Sequence, residues 1–226
     1  TFHSVARTLL RRPLADALWA QLGYRADFSI LDDDGADALL AEIIATERLR
    51  VGRRAKLRQR LRAIPASDRE GQGDDLGRLA AQYAQAKQAR NALDFDDLIS
   101  HAVALLSSLP GSPAWLPHVV LVDEMQDCQA QDLSLLQALR RPPSHFFAVG
   151  DPYQAIYGFR GSAPQIFART ETDFGCRAYA LPCNYRSTRT LVDAARAVLG
   201  LPPAAGSAPG APRAALDGRP GPGAAG

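Results

Sequence analysis

The chain has 226 residues, 46% of them hydrophobic and 22% charged, enough apolar content to bury the core of one or two globular domains and too much for a disordered chain. A net charge of +2 excludes any case for nucleic-acid binding from overall electrostatics, so such binding has to rest on local patches. No run reaches the roughly eighteen apolar residues of a membrane span and no secretory signal opens the chain, so the expected location is cytoplasmic with no membrane partner.

From Val5 to about Leu109 the apolar residues recur mostly at helical spacing, as in Leu14, Leu18 and Leu22, then Leu39, Leu40, Ile43 and Ile44, then Leu76, Leu79 and Tyr83. This stretch is expected to be mainly helical. Asp32 to Asp34 read as capping residues before one of these helices, and Gly71 to Gly73 with Pro65 as a break between helices. The texture changes at His118. The run Val119-Val120-Leu121-Val122 ends in Asp123 and Glu124, a helix-like segment from Gln129 to Leu139 follows, and a second run, Phe146 to Val149, ends in Gly150 and Asp151. Apolar runs separated by a helix point to buried parallel strands of an α/β sheet. A third segment, Tyr179 to Leu181, precedes a helix expected from near Ser187 to near Gly200. The stretch from Leu201 to Gly226 is mostly Ala, Gly and Pro and reads as a linker or a truncated edge.

Cys128, Cys176 and Cys183 are widely spaced without a CxxC pair, which favours reduced thiols over disulfides or a zinc site. Met125 is the sole methionine, so Thr1 is not expected to be a natural start and the chain is expected to be a piece of a longer protein. The basic residues are almost all arginine, the lysines being Lys56 and Lys87.

An acidic pair at the carboxyl end of a buried strand lies where open α/β sheets place their ligands. In a nucleotide hydrolase Asp123 would hold Mg²⁺ and Glu124 would polarise the attacking water. The other reading is that both carboxylates mark a strand end or cap the next helix.

The pair sits in Val122-Asp123-Glu124-Met125-Gln126-Asp127. Then come Val149-Gly150-Asp151-Pro152-Tyr153-Gln154-Ala155-Ile156-Tyr157-Gly158-Phe159-Arg160-Gly161 and Leu181-Pro182-Cys183-Asn184-Tyr185-Arg186-Ser187. In this order and spacing the three blocks resemble motifs II, III and IV of UvrD/Rep-type superfamily-1 DNA helicases. Thr1-Phe2-His3-Ser4 resembles motif Ib of that family, and Leu93-Asp94-Phe95-Asp96-Asp97-Leu98-Ile99 resembles the segment before its acidic strand. The resemblance covers residues 1 to about 200.

The resemblance implies an α/β fold, a partial P-loop NTPase (RecA-like) motor domain with a mainly helical insertion and the start of a second motor domain. Residues 1–4 would end motif Ib in domain 1A, 5–110 would form the helical 1B insertion, 111–177 the domain 1A core, 178–200 the start of domain 2A, and 201–226 a tail. The implied cofactors are ATP and Mg²⁺. Asp123 would be the metal ligand, Glu124 the catalytic base, and Gln154 the contact to the γ-phosphate. Tyr185 would stack on adenine and Arg186 would act as an arginine finger. His3, Tyr157, Phe159 and Arg160 would contact DNA, since aromatic faces and arginine bind single strands with little sequence preference. The implied partners are single-stranded DNA and single-strand/duplex junctions, and the implied activity is ATP-driven 3′-to-5′ movement.

Simpler readings stand beside each assignment. Gln154 would be a turn residue after Pro152, Ile156, Tyr157 and Phe159 would pack on the sheet, and Arg186 would form a salt bridge near a helix start. Ser187 or Thr188 is expected to be a helix N-cap, and Asp127 a cap for the helix after it. The run Arg48, Arg50, Arg53, Arg54, Lys56, Arg58, Arg60 and Arg62 is either a solvated face or, as the resemblance implies, a contact to duplex phosphates. Within the family's pattern, Met125 replaces phenylalanine, Pro152-Tyr153 a more acidic pair, and Pro182-Cys183 a polar residue.

Neither Lys56 nor Lys87 follows glycine, so the chain holds no GxxxxGK[ST] phosphate loop. These residues alone are expected to lack ATPase activity. Two further readings remain open: a non-catalytic DNA- or partner-binding remnant, and the motor part of a helicase-nuclease.

Overall fold

The computed structural model describes residues 1–52, 57–62, 64, 74–110, 115–140, 144–155, 166–181 and 183–201. They divide into two units, one of Thr1–Pro117 with Gln131–Pro142, the other of His118–Ala130 with Pro143–Gly226.

In the first unit, Thr1 caps α1 (Phe2–Leu10) by accepting from the Ser4 amide. A 3₁₀ turn, Pro13–Ala15, leads into α2 (Asp16–Leu22), which ends on Gly23 in the left-handed region at φ 71, a conformation glycine adopts without steric cost. Two three-residue strands, β1 (Ser29–Leu31) and β2 (Ala92–Asp94), pair in parallel. Each is followed by a helix capped by an aspartate. Asp32 accepts from Gly35 N at 2.8 Å at the start of α3 (Asp33–Thr46), as the sequence suggested. Asp94 forms a capping box with Asp97 at the start of α6 (Phe95–Ser108). Between them lie α4 (Leu57–Arg62) and α5 (Asp75–Ala89). The break expected around Pro65 and Gly71 to Gly73 lies outside the described residues.

Among the described residues, two apolar cores serve this unit. One joins Ala6, Leu9 and Leu10 of α1 to Leu98, Ala102 and Leu105 of α6, with Trp19, Phe28 and the Leu135 and Leu139 side chains of α7 (Ala130–Leu139). The other joins Leu39, Leu40 and Ile43 of α3 to Leu57 and Leu61 of α4 and to Leu79 and Tyr83 of α5. The strand pair β1 and β2 was not foreseen in a stretch read as mainly helical.

A charged group sits within this apolar packing. Lys87 of α5 is only 5% exposed, and its ammonium donates to Asp94 Oδ2 at 2.7 Å and Asp97 Oδ2 at 2.5 Å. Tyr83 donates to the same Asp94 oxygen at 3.0 Å. Burial raises the Asp94 carboxyl, but the charge and hydrogen bond of Lys87 prevail and hold it below the usual carboxylate range. Burial and the neighbouring Asp94 charge push Asp97 up to about 6. His101, packed against Trp19 and Tyr24, is pulled down to about 4 by burial and by the Lys87 charge.

In the second unit, β3 (Val119–Val122) and β4 (His145–Ala148) pair in parallel, with Val120 opposite Phe146 and Val122 opposite Ala148. The expected parallel strands are therefore present. One face carries Val120 and Val122, and Phe146 stacks on Phe174 of α8 (Ile166–Phe174) with ring centroids 4.2 Å apart. The other face presents Leu121, 73% exposed, and Phe147, 64% exposed, so these strands are not buried on both sides as their composition suggested. A parallel sheet is ordinarily covered on both faces.

Tyr179 to Leu181 is not a strand, and both of those side chains are exposed. The last described helix is α9 (Arg189–Val198); Thr188 occupies its N-cap position without a side-chain cap. Cys128, Cys176 and Cys183 form no disulfide among the described residues. No helix among the described residues is long and apolar enough to cross a membrane.

Candidate functional site

The site forms where β3 and β4 end. The ladder continues past the strands, with Val149 N donating to Val122 O at 2.8 Å and Met125 N donating to Val149 O at 3.0 Å. The two segments that follow, Asp123 to Asp127 and Gly150 to Gln154, are thereby held side by side at the carboxyl edge of the sheet, where parallel sheets present ligand-binding groups.

Asp123 and Glu124 are both exposed. Asp123 Oδ1 accepts from the Glu124 amide at 2.9 Å. Glu124 has φ 53, in the left-handed region, a conformation costing a non-glycine residue about 1–2 kcal/mol. Such strain persists where the surroundings fix it. Here they do: Glu124 accepts the turn bond from Asp127 N at 3.0 Å, and its carboxylate is gripped by Gln126.

Gln126, 2% exposed, donates through Nε2 to Glu124 Oε2 at 2.5 Å and accepts through Oε1 from Asp151 N at 3.0 Å. Gly150 makes that approach possible, since a Cβ there would lie 2.5 Å from Gln126 Oε1 and 2.9 Å from Met125 N. Asp151 in turn caps the 3₁₀ turn Pro152–Gln154, accepting from Tyr153 N through Oδ1 and from Gln154 Nε2 through Oδ2, each at 2.9 Å. A continuous set of hydrogen bonds therefore runs from Gln154 through Asp151 and Gln126 to Glu124.

Of the residues singled out from the sequence, Asp123, Glu124 and Gln154 are brought together. Tyr157, Phe159 and Arg160 lie outside the described residues. Tyr185 and Arg186 are exposed on the turn before α9, where Asn184 Oδ1 accepts from the Arg186 and Ser187 amides at 2.9 Å each. That turn orients the Arg186 backbone, and the guanidinium forms no ion pair among the described residues. His3, in the first unit, packs edge-on against Phe95 with centroids 5.0 Å apart.

In the basic run, Arg58 pairs with Asp33 and Asp37, and Arg60 donates to Val51 O at 2.9 Å. Those two side chains are engaged within the protein, whereas Arg48 and Arg50 are exposed. Arg53, Arg54 and Lys56 lie outside the described residues. Asp127 Oδ1 is buried with no hydrogen-bond partner among the described residues.

Gln126, Gly150 and Asp151 were not assigned roles from the sequence. Their signal was only membership of the motif blocks. What a buried amide bridges depends on a partner more than twenty residues away.

The donor set suits magnesium brought with a phosphate ligand. Mg²⁺ takes one or two carboxylates and completes its shell with water and phosphate oxygens. The exposed Asp123 carboxylate offers hard oxygen donors, and among the described residues no group of three or more His, Cys, Asp or Glu side chains could hold a metal on its own.

Residues 1–175 match the family model described as the UvrD/REP helicase N-terminal domain. Over 215 residues the chain is 29% identical to the ATP-dependent DNA helicase PcrA of Staphylococcus epidermidis and to that of Staphylococcus aureus. In both cases the match covers 88% of this chain and 29% of the relative. The chain thus spans less than a third of the length of the curated relatives it matches.

Proposed function

The chain belongs to the UvrD/REP helicase family through the N-terminal domain of those proteins, and on that premise we propose that it forms part of a motor coupling ATP hydrolysis to 3′-to-5′ movement on single-stranded DNA. The observation that carries this reading is the hydrogen-bonded connection of Glu124, next to Asp123, with Gln154 at the carboxyl edge of two parallel strands.

In this reading Asp123 holds Mg²⁺, and the chemistry that ion supplies when bound is neutralisation of charge on the terminal phosphates. Glu124 accepts the proton of the attacking water. Gln154, whose amide can donate to a phosphate oxygen and accept from a neighbour, contacts the γ-phosphate. Tyr185 stacks on adenine, and Arg186 offers its fixed fork of donors to the transferring phosphate. Tyr157, Phe159 and Arg160, with His3, bind the single strand by stacking and phosphate contact. Exposed Arg48 and Arg50 remain available to duplex phosphates at a junction.

The sequence holds no GxxxxGK[ST], so these 226 residues alone are expected to hydrolyse no ATP. The full-length protein carrying them tests the reading. It is expected to unwind a duplex with a 3′ single-stranded tail in the presence of ATP and Mg²⁺ and to leave a 5′-tailed duplex intact. Single-strand binding without any nucleotide-dependent unwinding would favour a non-catalytic remnant instead.

A further inference from the structure

We infer that Gln126 is a positioning residue for the hydrolytic step, holding the Glu124 carboxylate by one oxygen and tying it to the loop after β4. The inference rests on the reading of Glu124 as the group that accepts the proton of the attacking water.

The geometry fixes which end of the amide faces which partner. The Asp151 backbone N–H can only donate, so the Gln126 carbonyl oxygen must face it, at 3.0 Å. The NH₂ end is then directed at Glu124 Oε2, at 2.5 Å. Because the side chain is 2% exposed, water cannot replace a lost partner, and each bond holds the other in place.

For Glu124 the consequence is specific. A glutamate has three rotatable side-chain bonds, and an exposed one samples many orientations. Gln126 Nε2 donates to Oε2 and leaves the second oxygen to receive a proton. The left-handed backbone of Glu124 sets the direction in which its side chain departs, and Gln126 fixes where it ends. Reacting groups held in this way gain in rate through orientation, and displacement by about 1 Å can cost a hundredfold.

The loop that anchors Gln126 also carries Gln154, held by Asp151 Oδ2 at 2.9 Å. The two ends of the Gln126 amide are engaged by Glu124 and by the Asp151 backbone. Gln126 acts through Glu124.

The test uses the full-length protein with saturating single-stranded DNA, comparing Gln126→Glu, Gln126→Met and Glu124→Gln with wild type. Gln126→Glu keeps an acceptor for the Asp151 amide but turns the donor facing Glu124 into another acceptor. Gln126→Met keeps the length and removes both bonds. Both are expected to lower kcat about tenfold to a hundredfold while KM for ATP stays within about twofold. A residue needed only for folding would lower the amount of active protein or its melting temperature without this split.

If one variant fails to fold, the other carries the test. Either folded variant retaining kcat within about twofold of wild type, in a protein that Glu124→Gln inactivates, overturns the inference. So does a loss confined to KM. If Glu124→Gln leaves hydrolysis intact, the assignment of Glu124 is what has failed, and the inference falls with it.

Discussion

The Lys87 ammonium lies 2.7 Å from Asp94 Oδ2 in the interior of the first unit, and the same nitrogen reaches Asp97. Removing one member of such a buried group leaves the others as uncompensated charge, which costs about 3–5 kcal/mol. Lys87→Met is therefore expected to destabilise this unit by about that amount. Trp19 and Trp115 both lie in it, so tryptophan fluorescence during urea unfolding of the 226-residue chain reads it directly. An unchanged midpoint would show that the ion pairs contribute nothing net.

The same cluster sets opposing pH dependences. Asp97, raised to about 6, binds more protons folded than unfolded, so its contribution to stability falls as pH rises from about 4 to about 6. His101, lowered to about 4, binds fewer protons folded, so its contribution grows from about pH 4 to about 6.5. Asp94, held low, adds stability that is lost as pH falls below the usual carboxylate range. Between about pH 4 and 6 the first two effects cancel in large part. Asp97→Asn is expected to give stability that rises with pH across this window, and His101→Gln stability that falls. Urea midpoints measured at several pH values check both signs, and equal slopes for the two variants would refute the account.

Much of this frame was legible in the sequence where a signal is local. The apolar run ending at Val122 and the one around Phe146 marked β3 and β4, Asp32 marked a helix start, and Gln129 to Leu139 foretold α7 within a residue of its start. Signals that depend on a distant partner were not legible. Ser29 to Leu31 forms a strand only because Ala92 to Asp94 lies beside it, and three residues are too few to show a period. Tyr179 to Leu181 has strand-like composition but no ladder partner among the described residues, and it forms no strand. At the site, Asp123 and Glu124 were visible as charge at a strand end, whereas Gln126 is an amide whose meaning comes from Asp151 and Gly150. Likewise no local signal marks Lys87 as a buried ion, because that role comes from Asp94 and Asp97.

Gly150 is required by contact rather than by φ. A Cβ placed 2.9 Å from the Met125 backbone nitrogen and 2.5 Å from Gln126 Oε1 forces the two segments apart. Gly150→Ala is expected to cost about 1–3 kcal/mol through overpacking and to break the bond from Asp151 N to Gln126. In the full-length protein the thermal midpoint and kcat should both fall. A midpoint unchanged from wild type would mean that the carboxyl edge of the sheet adapts without cost.

The left-handed backbone at Glu124 separates strain from chemistry. Glu124→Gly and Glu124→Ala both remove the carboxylate, and both are expected to abolish hydrolysis. Glycine tolerates φ 53 and alanine does not, so the glycine variant should be more stable by about 1 kcal/mol. Calorimetric or denaturant midpoints for the pair decide this. An alanine variant as stable as the glycine one would show that the backbone relaxes once the side chain is gone.

Under the proposed function, Asp123 and Glu124 form the hydrolytic end of an ATP-driven motor. The most direct measurement is DNA-stimulated ATP hydrolysis by the full-length protein beside its Glu124→Gln variant, with nucleotide binding followed in both. The expected result is a fall in kcat of at least about a hundredfold with ATP affinity retained, since an amide can hold the geometry but cannot accept the proton. Hydrolysis by Glu124→Gln at the wild-type rate would contradict it.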